Sequence, residues 1–179
     1  MNRILLQPLS LVAAVICIMF SNAARAAETV HLTLTMNDIV IQGESSQLSL
    51  DRANTIECLS LESEFFRPAG SRDAVHRPVK IVKRIDKSTP LLAKSLDAEE
   101  TGTAVFRFFR PNPTGDGTTE QFFTITLGGV RIASDRILIP STITQATATS
   151  PPMEEVTFTY TTIKLTYTSN GAEAELRVR

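Results

Sequence analysis

Apolar and polar residues alternate with a period of two along much of the chain after residue 29. In the first such run, Val30, Leu32, Leu34 and Met36 alternate with polar side chains. Alternate side chains of a β-strand point to opposite faces, so this run predicts a strand with one buried face. Four further segments have strand composition: residues 39–41, 56–61, 79–85 and 104–110. In the third of these, Lys83 stands on the same face as three apolar residues.

The second half of the chain predicts more strands joined by turns. The turn-rich residues 111–117 separate residues 104–110 from residues 122–127, which indicates a hairpin. Strand patterns follow at residues 130–132 and 137–139, with a bulge or turn at Gly128 and Gly129.

The C-terminal strands show a change of register. Val156, Phe158 and Tyr160 occupy even positions, whereas the apolar residues from Ile163 to Tyr167 occupy odd ones. One extra residue near Thr161 and Thr162, a β-bulge, would keep both halves facing the core. Asn170 and Gly171 then predict a tight turn before a closing strand at residues 174–178.

A single helix is predicted after residue 88. Ser88 offers a hydroxyl cap, Pro90 suits the first turn, and Leu91, Leu92 and Leu96 give an apolar stripe expected to pack on the sheet. The helix should end near Glu99, and residues 140–152 should form a loop. The predicted fold is therefore mainly β: a compact barrel or two-sheet sandwich with one short flanking helix.

The N-terminal residues predict a signal peptide rather than part of the fold. Arg3 precedes an uncharged, mostly apolar run over residues 4–20, and small residues at Ala24 and Ala26 suit a signal peptidase. Cleavage before Ala27 would remove residues 1–26 and leave one domain over residues 27–179, without a stable membrane anchor. The run is at or below the length needed to cross a bilayer, which disfavours a spanning anchor. The predicted location is therefore the periplasm or the medium.

Charge and cysteine content narrow the possible functions. The formal net charge of −1 over 179 residues disfavours nucleic acid as a partner, because nucleic-acid-binding domains usually carry a basic surplus. Cleavage would remove Cys17 and leave Cys58 alone, so the mature chain would have no internal disulfide. Cys58 lies in an apolar stretch and is expected to be a buried free thiol.

Candidate catalytic and ligand-binding residues are few. His31 and His76 are expected to be solvated, and the carboxylates of Glu99, Glu100, Asp116, Glu154 and Glu155 are expected to face water. A hydrolase built on two carboxylates distant in sequence is the weaker alternative. The basic residues Arg77, Lys80, Lys83, Arg84 and Lys87 are interpreted as a solvated strand face, with a patch for an anionic partner as the alternative. No catalytic, cofactor-binding or metal-binding residue is assigned, so the sequence predicts no enzyme and no cofactor.

Three segments together resemble one known family. Residues 79–96 (VKIVKRIDKSTPLLAKSL) are similar to the signature of the Hcp family, the haemolysin-coregulated tube proteins of type VI secretion. Residues 39–45 (IVIQGES) resemble its early turn. The paired strands EQFFTITLGGVRIAS and MEEVTFTYTTIKLTY resemble its C-terminal half.

The resemblance implies a compact β-barrel that assembles into a homohexameric ring. Rings of this family stack into a tube that a contractile sheath propels, that a spike protein tips, and that carries effectors in its lumen. The chain departs from the family in having an apparent signal peptide, a short segment at residues 64–77 and its own loop at residues 140–152. Two alternatives therefore stay open: an exported monomeric β-sandwich that acts as a binding module, and a cytoplasmic pool that leaves through a type VI system.

Overall fold

The computed structural model describes residues 28–145, 147 and 149–178. The predicted signal peptide at residues 1–26 and the cleavage site before Ala27 lie outside these residues. The eleven strands, one 3-10 turn and one α-helix are, in chain order, β1 (Thr29–Met36), β2 (Ile39–Ile41), a 3-10 turn (Ser49–Asp51), β3 (Ile56–Glu62), β4 (Phe65–Phe66), β5 (Val75–His76), β6 (Val79–Arg84), α1 (Thr89–Asp97), β7 (Gly102–Pro111), β8 (Thr119–Leu138), β9 (Met153–Thr159), β10 (Thr162–Tyr167) and β11 (Ala172–Arg177).

Six strands close into a barrel. Neighbours pair antiparallel in the order β8, β7, β1, β3, β6 and β9, and β9 pairs back onto β8. Strands β10 and β11 extend the sheet outward from the first half of β8, and β2 pairs with the end of β1. The predicted fold class is confirmed: over the described residues the chain is mainly β, with one short helix.

The alternating residues of the first prediction line the barrel. Leu32 and Leu34 of β1 are fully buried, as are Ile56, Ile81 and Leu127 on other strands. Phe106 of β7 and Phe158 of β9 meet edge-to-face inside, with ring centroids 6.2 Å apart. Because the strands of a closed barrel have neighbours on both sides, the packed interior and a continuous ladder of backbone hydrogen bonds stabilise it.

Strand β8 corrects the prediction of three separate segments after residue 121. It runs unbroken for 20 residues, pairing with β10 and β7 at its start and with β9 at its end. The bulge expected at the glycine pair is confirmed, because Gly102 faces Val130 and Thr103 faces Gly128, leaving Gly129 extra. Gly129 has φ of +62°, a left-handed conformation that glycine adopts without a side-chain clash.

The register switch in the C-terminal strands also takes a different form from the one predicted. Tyr160 and Ile163 are both buried, so the change of parity is confirmed. The interruption is a two-residue break between β9 and β10, however, and not a one-residue bulge within one strand. The Thr161 amide there donates to the Gly128 carbonyl (2.9 Å), so the break lies against the bulge of β8.

Helix α1 lies against the barrel beside β8, with Leu92 and Ser95 buried and Leu96 partly buried. Pro90 occupies the first turn as predicted, and the helix ends at Asp97, two residues before Glu99. Two details differ from expectation. Leu91 is 43% exposed. The Ser88 side chain makes no cap bond, because its hydroxyl instead donates to Asp86 Oδ1 (2.5 Å).

Candidate assembly surface and a buried charged cluster

Strand β11 forms an open edge of the sheet. It pairs with β10 on one side only, and no second strand joins it within the part of the chain that the structure describes. All six of its residues are exposed, including Leu176 at 38%. Unpaired backbone groups along an edge strand can pair with another chain, so β11 is a candidate site for assembly.

A short hairpin forms a second exposed surface. Strands β4 and β5 pair only with each other and leave Phe65 and Phe66 each 37% exposed. His76 joins this hairpin to the barrel through an edge-to-face contact with Tyr160, with centroids 6.3 Å apart. Arg77 lies over the Phe66 ring and pairs with Glu64 at 2.8 Å. The short segment at residues 64–77 thus contains a hairpin, which presents aromatic surface outside the barrel.

A cluster of charged side chains is buried where α1 meets the barrel. Lys83 of β6 and Glu154 of β9 stand directly opposite each other in register, and both are 0% exposed. Lys83 Nζ donates to Glu154 Oε2 at 2.5 Å and to the hydroxyl of Thr89 on α1 at 3.2 Å. It also pairs with Asp86 Oδ1 at 2.9 Å. The Thr89 hydroxyl in turn donates to Glu154 Oε2 at 2.6 Å, so the cluster connects the helix to two barrel strands.

The turn before α1 is held by the early turn of the chain. The Glu44 amide donates to Asp86 Oδ2 (3.3 Å), and the Lys87 amide donates to Glu44 Oε1 (3.3 Å). The Ser88 amide donates to Asp86 Oδ1 at 2.9 Å. Burial is the largest single influence on the pKa of Asp86 and would raise it, but hydrogen bonds from the Ser88 hydroxyl and amide and from Lys83, together with the Lys83 charge, hold it below its usual value. Two of the segments that carry the family resemblance are therefore in direct contact.

The predicted solvated basic face is only partly present. Lys83 contradicts it, because its ammonium group is inside the barrel mouth. Arg77 and Lys80 do lie at the surface, the latter near Glu62 at 3.7 Å. The Lys87 ammonium donates to Asn54 Oδ1 at 3.2 Å. The five basic residues therefore do not form one continuous patch.

His31 corrects a second prediction. Its ring is 1% exposed, in an edge-to-face contact with Phe109 at 5.5 Å. The Thr55 hydroxyl donates to the Arg52 carbonyl (2.6 Å) and accepts from His31 Nδ1 (2.9 Å). Burial, and then the nearby Arg52 charge, lower the pKa of His31 to about 4. The polar face of β1 is buried here because Phe109 and the segment around Arg52 cover it.

The other candidate residues are dispersed. Cys58 is a buried free thiol, as predicted, and burial raises its pKa. His76 lies in β5 and is half-buried rather than fully solvated as expected. Asp116 precedes β8, whereas Glu154 faces Ile137 near the far end of that strand, so the two are not brought together. Glu100 accepts from the Ser95 hydroxyl at 2.6 Å. Glu154 is buried, contrary to the expectation of a solvated carboxylate.

Among the described residues, no group of three or more His, Cys, Asp or Glu side chains is placed to hold a metal ion. Nor does this part of the chain contain a helix long and apolar enough to span a membrane. The features that stand out are surfaces and a buried structural cluster.

The fold and these surfaces define a small β-barrel domain with an open edge strand and a protruding hairpin. Residues 31–167 match the model of one family, described as "Type VI secretion system effector, Hcp". The match spans more than half of the chain, and the chain therefore belongs to the Hcp family of the type VI secretion system.

Individual relatives agree with this assignment. The "Major exported protein" of Pseudomonas aeruginosa is 28% identical over 131 residues, which cover 73% of this chain and 74% of that protein. A solved structure described as "Crystal structure of Hcp protein" superposes with a TM-score of 0.75 at 19% identity, covering 86% of this chain and 99% of the other. "Secreted protein Hcp3 from Pseudomonas aeruginosa" gives a TM-score of 0.70 at 21% identity, with coverage of 86% and 99%. At these identities the two structures bear on the fold alone.

Proposed function

We propose that this chain is a non-catalytic structural subunit that assembles into a homohexameric ring, and that such rings stack into a type VI secretion tube. The observation that carries the proposal is the family barrel with β11 as an exposed, one-sided edge strand. A heterologous contact joins one surface of each copy to a different surface of the next copy, and its repetition around a closed symmetry axis makes a ring. Edge pairing by β11 would supply such a contact.

The hairpin of β4 and β5 supports the same proposal. Phe65 and Phe66 are aromatic and exposed, and aromatic residues are enriched at interfaces between proteins. Burying them against a neighbouring copy would remove their apolar surface from water. By family resemblance, the further partners are a spike protein, a sheath and effectors in the lumen.

Sedimentation velocity on the chain from Ala27 to Arg179, with and without substitutions, tests the ring. Leu176→Lys on β11 should shift the protein from six-chain species toward monomer, because it places a charge at the contact. Leu91→Lys on α1 is the matched control, since Leu91 and Leu176 have similar exposure (43% and 38%). Equal loss of assembly in both variants would contradict a contact located at β11. A wild-type protein that stays monomeric would instead favour an exported monomeric binding module.

We further propose that the protein is exported after removal of residues 1–26. The N-terminal sequence pattern supports this, and the name of the Pseudomonas aeruginosa relative describes an exported protein. N-terminal sequencing of protein from the cytoplasm, the periplasm and the medium provides the test. A mature protein that starts at Ala27 outside the cytoplasm supports the proposal. A soluble cytoplasmic protein that starts at Met1 would contradict it and would favour secretion through a type VI system.

A further inference from the structure

Two carboxyl groups lie on the same face of the pair formed by β8 and β9. Asp135 of β8 is opposite Val156 and Glu154 of β9 is opposite Ile137, so the two acids are diagonal neighbours, a spacing that long side chains can bridge. Oδ1 of Asp135 and Oε1 of Glu154 are both buried, and neither receives a hydrogen bond from any described residue. Two ionised carboxylates are acceptors only, so neither group can supply the other with a donor. A single proton on one of them would allow a hydrogen bond between the two carboxyl groups.

The surrounding charges do not neutralise a second carboxylate. Lys83, from β6, is the cation in contact with Glu154, and it also pairs with Asp86 in the turn before α1. From β3, the register places Cys58 opposite Lys83, and its thiol is neutral because burial raises its pKa. Thr89 of α1 contributes a hydroxyl without charge. Arg136 and Glu155 face each other on the same two strands but one residue away, on the opposite face.

We infer that Asp135 and Glu154 share one proton, and that this proton makes the attachment of α1 to the barrel sensitive to pH. With the proton present, Lys83 and Asp86 balance each other and the carboxyl pair carries one negative charge. When the proton leaves to solvent, the pair carries two negative charges side by side in a poorly hydrated site. The added repulsion acts on Glu154, the residue that accepts the Thr89 hydroxyl of α1.

The direction of the linkage follows from the protonated pair. Burial, and then the charge of Glu154, raise the pKa of Asp135 from 3.8 to about 6. Between pH 3.8 and about 6, therefore, the folded state still holds a proton that the unfolded state has already released. The stabilisation is complete below the unfolded pKa and is lost as pH rises through about 6. A shift of about two pKa units corresponds to at most about a hundredfold in the folding constant, and partial solvent contact of Asp135 reduces the expectation to about tenfold.

His31 acts in the opposite direction over the same interval. Its pKa is lowered from 6.5 to about 4, so its contribution to stability increases as pH rises between these values. The pH profile of the wild-type protein alone would therefore mix the two effects. A variant that changes only the carboxyl pair is needed to separate them.

Asp135→Asn is that variant, because an amide can donate a hydrogen bond to the Glu154 carboxylate at every pH and so imitates the protonated pair. Urea unfolding of both proteins at pH 3.5 and pH 7.5, which bracket the interval, should show the wild type losing about tenfold in its folding constant relative to Asp135→Asn. Parallel profiles would overturn the inference. If the variant does not fold, the carbon-13 shift of the Asp135 carboxyl in the wild-type protein decides: a titration midpoint near 6 supports the shared proton, and a midpoint at or below about 4 overturns it. Hydrogen exchange of the α1 amides should speed up above the same midpoint, and unchanged exchange would overturn the coupling to the helix.

Discussion

Replacing Lys83 with methionine removes the only buried ammonium group described in the barrel and keeps a side chain of similar shape. The Lys83 side chain is 1% exposed, and its Nζ lies 2.5 Å from Glu154, 2.9 Å from Asp86 and 3.2 Å from Thr89. In the variant, Glu154 would stay buried with the Thr89 hydroxyl as its remaining donor. Removing one partner of a buried ion pair costs about 3–5 kcal/mol, because the other charge is left uncompensated. We expect the Lys83→Met variant to lose this amount in its free energy of unfolding.

A double variant separates the loss of the ion pair from a general disturbance of packing. In Lys83→Met with Glu154→Leu, no buried charge of the pair remains, and replacing a whole buried pair by apolar residues is often neutral or stabilising. We therefore expect the double variant to regain most of the stability that the single variant loses. Urea unfolding followed by circular dichroism at pH 7 measures all three proteins. A single-variant loss below about 1 kcal/mol, or a double-variant loss as large as the single one, would refute the assignment of an uncompensated charge.

Three further predictions concern stability and titration. Leu92→Ala should lower the free energy of unfolding by about 2–5 kcal/mol because Leu92 is fully buried. Leu91→Ala should change it by less than about 0.5 kcal/mol, since Leu91 is exposed. Equal thermal melts of the two variants would contradict the packing of α1. The proton NMR signal of His31 should titrate near pH 4, so that stability provided by this residue is lost as pH falls from 6.5 toward 4; a midpoint near 6.5 would mean that the ring is solvated. Gly129→Ala should lower the free energy of unfolding by about 1–3 kcal/mol, and by more than Gly171→Ala does. Both glycines have positive φ, but only at Gly129 would the new carbon lie 2.3 Å from Thr161 Oγ1. Equal losses in the two variants would contradict the tight bulge.

The strands that close the barrel could be predicted because their faces differ. Residues such as Leu32 and Leu34 face the core while their neighbours do not. The sequence shows this difference as an alternation of apolar and polar residues with a period of two. The continuity of β8 could not be predicted in the same way. Its first half pairs with β10 and its second half with β9, so partners distant in sequence keep the strand unbroken through the glycine bulge.

The positions of Lys83 and Glu154 in the alternating pattern indicate that both are buried, although their charge led to the prediction that they are solvated. Lys83 shares a face with Val79 and Ile81, and Glu154 shares one with Val156 and Phe158. A single charge on an otherwise apolar face, in each of two strands, is the signal that predicts a buried ion pair. Only the register of β6 against β9 shows that the two charges meet, and the sequence alone does not contain that register. Asp135 could not be linked to them, since a bulge between Ile132 and Ser134 changes the alternation before it.

Under the proposed function, this barrel builds a ring from copies of itself. The most direct measurement is native mass spectrometry combined with electron microscopy of the chain from Ala27 to Arg179. The proposal predicts a species of six chains that appears as a closed ring with an open centre. A protein that stays a single chain at every concentration up to the highest soluble one, with no ring in the images, would contradict it.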